Sequence, residues 1–88
     1  MEMNHDQLIA SYIESNPHRP GLEDVRLREF GVPVWALIGH LHGVRWDISR
    51  TARDYRVPVE AVNAAVAYYK KHKLLIEARI DANSTTVP

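Results

Sequence analysis

The sequence predicts a small, mainly α-helical domain that contains a helix-turn-helix unit and at most one or two short strands. Apolar residues recur at the three- and four-residue spacing of a helix through most of the second half of the chain. Alternation typical of a strand is confined to a few positions near residue 26. The 88 residues suit one domain, which we expect to span 1–82, followed by a flexible tail at 83–88.

The first predicted helix runs from about residue 6 to residue 16. Asn4 and Gln7 have the spacing of a capping box, in which each side chain accepts from the other residue's backbone N–H. Pro17 ends the helix, because the residue before a proline is driven out of the helical region. Four apolar residues would share one face: Leu8, Ile9, Tyr12 and Ile13.

The segment that follows this helix is less regular. His18 to Gly21 has turn chemistry, with a proline and a glycine in sequence. Val25 and Leu27 alternate with charged residues, which predicts one short strand, and we expect a second strand around 30–32.

Two further helices are predicted with clear boundaries. Pro33 suits the first turn of a helix, where its missing N–H costs nothing, and Gly43 is a suitable end. Asp47 can accept from first-turn N–H groups and cap a helix over 48–55. The first of these helices has apolar residues at the spacing of a buried face: Val34, Leu37, Ile38 and Leu41.

The last predicted helix begins after Pro58 and continues unbroken to Ala82, since no helix breaker lies between them. Such a helix is about 36 Å long at ~1.5 Å per residue. A domain of this size is only about 30 Å across. We therefore expect the end of the helix, with Leu75 and Ile80, to project beyond the core. Its apolar residues need a cover, either the amino-terminal helix or, as we favour, a second subunit in a homodimer.

The chain from Ile48 to about residue 67 has the pattern of a helix-turn-helix. Ala52 supplies a small residue where two short helices cross, and Tyr55 and Val57 supply apolar contacts beside the turn. The turn often holds a glycine at positive φ. Here Arg56 occupies that position, which predicts a lengthened or reshaped turn. Two packed helices of a small bundle, with no role in nucleic-acid binding, are the alternative interpretation.

Four residues are candidates for contacts with DNA. Arg50, Arg53 and Arg56 lie on the first helix and the turn, where they suit phosphate contacts. On the second helix we expect four outward positions, of which Asn63 alone suits a base contact. The alternative for the arginines is a solvated face shared with nearby carboxylates. The four outward positions are Glu60, Asn63, Ala64 and Ala67.

Composition and spacing argue against several other classes of protein. Eleven basic and eleven acidic residues cancel, whereas an independent nucleic-acid binder usually has a basic excess. Without cysteine the chain has neither disulfides nor thiolate metal sites. His40 and His42 are two residues apart on a helix and cannot share a metal. We find no catalytic set and expect no cofactor, no metal and no enzymatic activity. With no signal peptide or membrane span, we expect a cytoplasmic protein.

Several segments together resemble a known family. They are Gly31-Val32-Pro33-Val34-Trp35, Ala52-Arg53-Asp54-Tyr55, and Ala65 to Tyr69. The chain resembles, over about 26–80, a group of small prokaryotic proteins of unknown function that are described as antitoxins. The resemblance implies a winged or homeodomain-like helical fold and a partner of the PIN-like ribonuclease toxin class. Family members commonly have Arg-Gly-Thr-Arg before the proline, where this chain has Arg28 to Gly31, and begin with a strand rather than a helix.

The leading hypothesis is a non-enzymatic, antitoxin-like helix-turn-helix protein that binds a toxin, and operator DNA as well, as a dimer. Residues of the strand region, Arg26 and Arg28, are candidates for the partner surface. Tyr68 and Leu75 are further candidates, because one of the two adjacent tyrosines is expected to face outward. The alternative is a protein-interaction or dimerisation module that does not bind DNA.

Overall fold

The structure, a computed structural model, describes residues 3–84 and is mainly helical. Five α-helices and one small antiparallel sheet make up this part of the chain. A single 3-10 turn, Leu22–Asp24, lies between the strands. The elements are α1 (His5–Tyr12), β1 (Ile13–Glu14), β2 (Arg26–Leu27), α2 (Val34–Gly43), α3 (Ile48–Tyr55), α4 (Val59–Lys71) and α5 (Lys73–Ser84).

The capping box predicted for α1 is present, but the helix ends earlier than predicted. The Asn4 side chain accepts from the Gln7 N–H at 2.8 Å, and the Gln7 side chain accepts from the Asn4 N–H at 2.9 Å. Ile13 adopts extended backbone angles and starts β1. Its side chain is buried and pairs across the sheet with Leu27. Burial in the sheet therefore outweighs the helical pattern of residues 13–16.

The strand predicted near residue 26 is confirmed, and its predicted partner at 30–32 is wrong. Antiparallel pairing joins β2 to β1, with Glu14 opposite Arg26. Residues 28–30 form a turn instead of a strand. Glu29 and Gly31 there have φ of 74° and 71°, which an extended strand does not permit. The Leu27 N–H donates to the Val32 carbonyl at 2.8 Å and the Gly31 N–H donates to the Leu27 carbonyl at 2.9 Å, so backbone hydrogen bonds close this turn without forming a strand.

The boundaries predicted for α2 and α3 are confirmed. The Asp47 side chain accepts from the Arg50 N–H at 3.0 Å and so caps α3 as expected. The four apolar residues predicted for the buried face of α2 are completely enclosed. In the link between the two helices, Arg45 and Trp46 both have positive φ, 56° and 61°.

The prediction of one long final helix is wrong. The helix is interrupted at His72, where φ is −132° and ψ is 41°, and α5 starts at the next residue. After the break α5 packs against α2 and the 3-10 turn. This return buries Ile76 completely and brings Arg79 to Asp24 at 3.0 Å. The homodimer stays a prediction, but without a projecting helix to support it.

The last helix extends two residues into the segment predicted as a tail, because α5 continues through Ser84. The flexibility of the tail stays a prediction. The remaining part of the predicted tail, 85–88, lies outside the described residues. In the described part of the chain, no helix has the length and hydrophobicity required to cross a membrane.

Candidate nucleic-acid interface

The turn between α3 and α4 is tight. Arg56 has φ of 56° and ψ of 47°, and its N–H donates to the Arg53 carbonyl at 3.2 Å. The Val57 N–H then donates to the Ala52 carbonyl at 3.0 Å. The turn is therefore not lengthened as the sequence suggested. Arg56 itself adopts the left-handed conformation that glycine usually provides, at a cost of about 1–2 kcal/mol for a residue with a Cβ.

Arg50, Arg53 and Arg56 are all exposed at this turn, but only one of them has an acidic partner. Arg50 lies 3.7 Å from the Asp54 carboxylate, which also contacts His40 Nε2 at 2.8 Å. Arg53 and Arg56 form no ion pair with any described residue. Two uncompensated guanidinium groups, three residues apart, therefore face solvent beside the turn.

Most other cations of the described chain have acidic partners within the fold. Arg79 and Arg19 both contact the buried Asp24. Lys71 pairs with Asp6 and holds the pKa of that carboxyl below its ordinary value. Among described residues, the cations without an ion pair are Arg45, Arg53, Arg56, Lys70 and Lys73.

The outward face predicted for α4 is wrong in two of its four positions. Ala64 and Ala67 are buried, because α1 packs antiparallel along this side of α4. At one end the Tyr12 hydroxyl donates to the Glu60 carboxylate at 3.3 Å, and at the other end Lys71 contacts Asp6. Burial, and then the Glu60 charge, raise the pKa of Tyr12.

The face of α4 that stays open is a narrow stripe beside α1. Val59, Asn63 and Lys70 are exposed on it and Val66 is half-buried, at the four-three-four spacing of one helical face. A groove of about 500 Å³ separates this stripe from the amino-terminal end of α1. Asn63 is therefore accessible as predicted. Val59 and Lys70 were missed, although the same spacing counted from the first residue of α4 would have identified them.

The residues predicted for a partner surface mostly have structural roles. Arg26 bonds to the Glu14 carboxylate at 2.8 Å, and Arg28 donates to the Ile13 carbonyl at 3.0 Å. Tyr68 is buried, not outward-facing: its hydroxyl donates to the Leu22 carbonyl at 2.6 Å, and burial raises its pKa. Leu75 is half-buried.

The expected outward tyrosine does not exist, since Tyr69 is buried as well. The more exposed apolar residue on α5 is Leu74, with 83% of its surface accessible. His40 and His42 point to different neighbours, as their spacing predicted: His40 contacts Asp54 and His42 lies near Glu77. No group of three or more potential ligands within residues 3–84 is arranged to hold a metal ion.

Comparison of the chain with models of known protein families, with characterised proteins and with solved structures found no match. The resemblance to antitoxin-like proteins therefore depends only on the motif residues around Trp35, Ala52 and Tyr69.

Proposed function

We propose that this protein is a non-enzymatic helix-turn-helix protein that binds duplex DNA at the turn between α3 and α4. The observation that supports this most is the pair Arg53 and Arg56, which are exposed, adjacent and free of acidic partners within the described chain. Guanidinium groups of this kind bind phosphate oxygens and position a protein on the duplex.

The backbone of Arg56 supports a functional use of its side chain. A left-handed residue with a Cβ is strained, and glycine at this place would relieve the strain. Strained residues of this type cluster at binding and active sites. Glu29, Arg45 and Trp46 are left-handed in this protein as well, so the backbone of Arg56 is compatible with a use of its guanidinium group and does not by itself require one.

The open stripe of α4 provides the groups that would enter the major groove. Asn63 can bond to the N6 and N7 of adenine, and Val59 can contact a thymine methyl group. Lys70 lies about 17 Å from Val59 along the helix axis, at ~1.5 Å per residue, and suits a phosphate at the far end of the contact. Because α1 covers the adjacent face, α4 would read few bases and most of the affinity would come from phosphates.

The binding should be weak and strongly dependent on salt. The chain has no net charge, so the long-range attraction of a basic protein is missing. Three phosphate contacts, from Arg53, Arg56 and Lys70, give a slope of about −2.7 in log K against log salt concentration, at ~0.9 per contact.

The proposal is tested by titrating a labelled random-sequence duplex and following fluorescence anisotropy between 20 and about 200 mM salt. Replacing both arginines, in R53A/R56A, should reduce affinity at least tenfold and lower the slope by about 2. R53K/R56K should keep most of the binding because it keeps the charge. Arg19→Ala, which removes one charge elsewhere, should bind as the parent protein does. Unchanged affinity and slope in R53A/R56A would refute the assignment.

We further propose the antitoxin role in the cytoplasm that the motif resemblance implies. Its support is the Pro33-Val34-Trp35 step together with the Ala67-Tyr68-Tyr69 ending, and no geometry adds to it. Co-expression with the protein encoded next to it, followed by pull-down and a growth assay, is the test. A complex that restores growth is the expected result. Loss of growth with no complex would leave the DNA-binding proposal standing and remove the antitoxin role.

The alternative is a protein-interaction module that dimerises without binding DNA. The acidic residues that balance the arginines and the alanine-rich α4 favour it. Sedimentation equilibrium combined with the DNA titration separates the two proposals. A dimer that fails to bind DNA at 20 mM salt, where the Debye length is still about 20 Å, supports the alternative.

A further inference from the structure

The helix α1 covers a second face of α4, directly beside the open stripe. Ala64 and Ala67 are buried on this face. At its two ends, Glu60 and Lys71 form polar contacts with α1. These four residues repeat the four-three-four spacing of the open stripe one position further along the chain, so the two faces are about 100° apart around the helix. α1 is therefore a lateral neighbour of the face that would contact DNA.

α1 and α4 side by side are too wide for the major groove of DNA. Packed helices have axes about 8–10 Å apart, and each helix is at least about 10 Å in diameter with its side chains, so the pair spans roughly 20 Å. The major groove of B-DNA is about 12 Å wide and admits a single helix. While α1 is docked, α4 can therefore present its open stripe to the base edges but cannot enter the groove fully.

The two ends of α1 are attached to the fold in different ways. At the carboxyl end, Ile13 is buried in the sheet, and the Arg28 N–H donates to the Tyr12 carbonyl at 2.7 Å. At the amino end, Asp6 pairs with Lys71 through side chains that are 77% and 46% exposed. Exposed ion pairs contribute little stability. The groove of about 500 Å³ also lies at this end, so the amino end of α1 is less closely packed on α4 than the carboxyl end.

The burial of side chains along α1 also indicates that this helix can open locally. None of its eight residues is buried, whereas α4 has seven buried residues. Leu8 and Ile9 pack against the core but are only partly covered by it. Segments with few buried apolar contacts have the lowest free energies of local opening in a protein. The amino end of α1 can therefore lift from α4 while β1 stays in the sheet.

We propose that α1 is an autoinhibitory helix, whose amino end leaves α4 before α4 binds DNA with full affinity. The proposal rests on the DNA-binding function proposed above and adds regulation to the same site. Release exposes the second face of α4 and frees the Lys71 ammonium group for a phosphate. It allows Glu60 to accept a hydrogen bond from cytosine N4. It also moves the Asp6 carboxylate away from phosphates, which this carboxylate would repel.

Release of α1 is measured without DNA, by amide hydrogen exchange. In the parent protein, the N–H groups of residues 8–12 should exchange at least tenfold faster than those of residues 37–41 in α2. Asp6→Asn combined with Leu8→Ala removes the ion pair and an apolar contact at the amino end of α1. This variant should increase exchange at 8–12 at least tenfold further and leave exchange at 37–41 unchanged.

The matched control makes the same two changes on α5. Asp81→Asn combined with Leu74→Ala alters two exposed side chains and removes the same charge. In the titration with random-sequence duplex, D6N/L8A should bind at least fivefold more tightly than D81N/L74A. L8A alone, which changes no charge, should bind at least twofold more tightly than L74A alone. Since Lys71 adds one phosphate contact, the salt slope of D6N/L8A should be steeper by about 0.9.

A third change tests the role assigned to Lys71. Lys71→Ala, added to D6N/L8A, should return the salt slope to that of the parent. Equal affinity of D6N/L8A and D81N/L74A, or equal exchange of α1 and α2 in the parent, would overturn the autoinhibition and leave the DNA-binding proposal standing. Failure of both the parent and D6N/L8A to bind the duplex would refute DNA binding, and the autoinhibition with it.

Discussion

Replacing Arg56 with glycine should make the protein more stable while it weakens DNA binding. Arg56 has φ of 56° and is exposed, so its side chain contributes strain but no packing. Removing the Cβ relieves about 1–2 kcal/mol of strain. The greater conformational freedom of glycine stabilises the unfolded chain and offsets about 0.5–1 kcal/mol of this gain. The net gain in the free energy of unfolding is about 0.5–1 kcal/mol, or roughly 4 °C in Tm for a domain of this size.

Urea denaturation followed by circular dichroism measures this effect, and two matched variants isolate its cause. Arg53→Gly makes the same change three residues earlier, inside α3, and should lower stability by about 1 kcal/mol, because glycine is a poor helix former. Arg56→Ala keeps the Cβ and the strain, so its stability should stay close to that of the parent. The reasoning is refuted if R56G is less stable than the parent or if R56A gains as much as R56G.

DNA affinity should not follow stability in this series. R56G and R56A both lose the guanidinium group, so we expect both to bind equally weakly and to lower the salt slope by about 0.9. A variant that is more stable and still binds less well separates the contact from the fold. If R56G binds DNA as well as the parent does, the strain at Arg56 has no connection with phosphate contacts.

Three further predictions concern stability. Thr51 Oγ1 is buried and has no hydrogen-bond partner in the described chain, so Thr51→Val should raise the free energy of unfolding by about 1 kcal/mol; a loss in urea denaturation would show that the hydroxyl is bonded. Arg79→Ala leaves the buried Asp24 carboxylate with Arg19, at 3.5 Å, as its remaining ion-pair partner in the described chain. It should lower the free energy of unfolding by about 3 kcal/mol. A loss smaller than the error of urea denaturation would contradict this. Burial, then the hydrogen bond to Glu77, raise the pKa of Tyr69 to about 12 in the folded chain, against about 10 when unfolded. The stabilisation from this raised pKa is complete below pH ~10 and is lost as the pH rises towards about 12. Tyr69→Phe should therefore make the free energy of unfolding fall less steeply over this pH range. The same slope in both proteins would rule out a contribution from Tyr69.

The local signals in the sequence identify most of the elements. The capping box at Asn4, the Asp47 cap and the apolar spacing of α2 each depend on residues within one or two turns, and all are confirmed. The break at His72 could not be predicted in this way, since no glycine or proline lies there. It is determined by distant contacts, in which Ile76 becomes buried and Arg79 reaches Asp24 across 55 positions.

At the candidate site, too, local sequence patterns predict exposure but not burial by a distant element. The exposure of Arg53 and Arg56 follows from the helical pattern of α3 and could be predicted. The burial of Ala64 and Ala67 could not, because alanine is equally suited to an open helix face and to close contact with another helix. Only the antiparallel position of α1, fixed by Tyr12 and by the Asp6–Lys71 pair, decides between the two.

The same position of α1 affects the order in which the chain can fold during synthesis. α1 is only eight residues long, too short to be stable alone in water. Its contacts with α4 join residues that are 48 and 65 positions apart. When α1 leaves the ribosome, its docking surface has not yet been synthesised. We therefore expect the amino-terminal helix to fold last although it is made first, and the nascent chain to remain open until residue 71 has emerged.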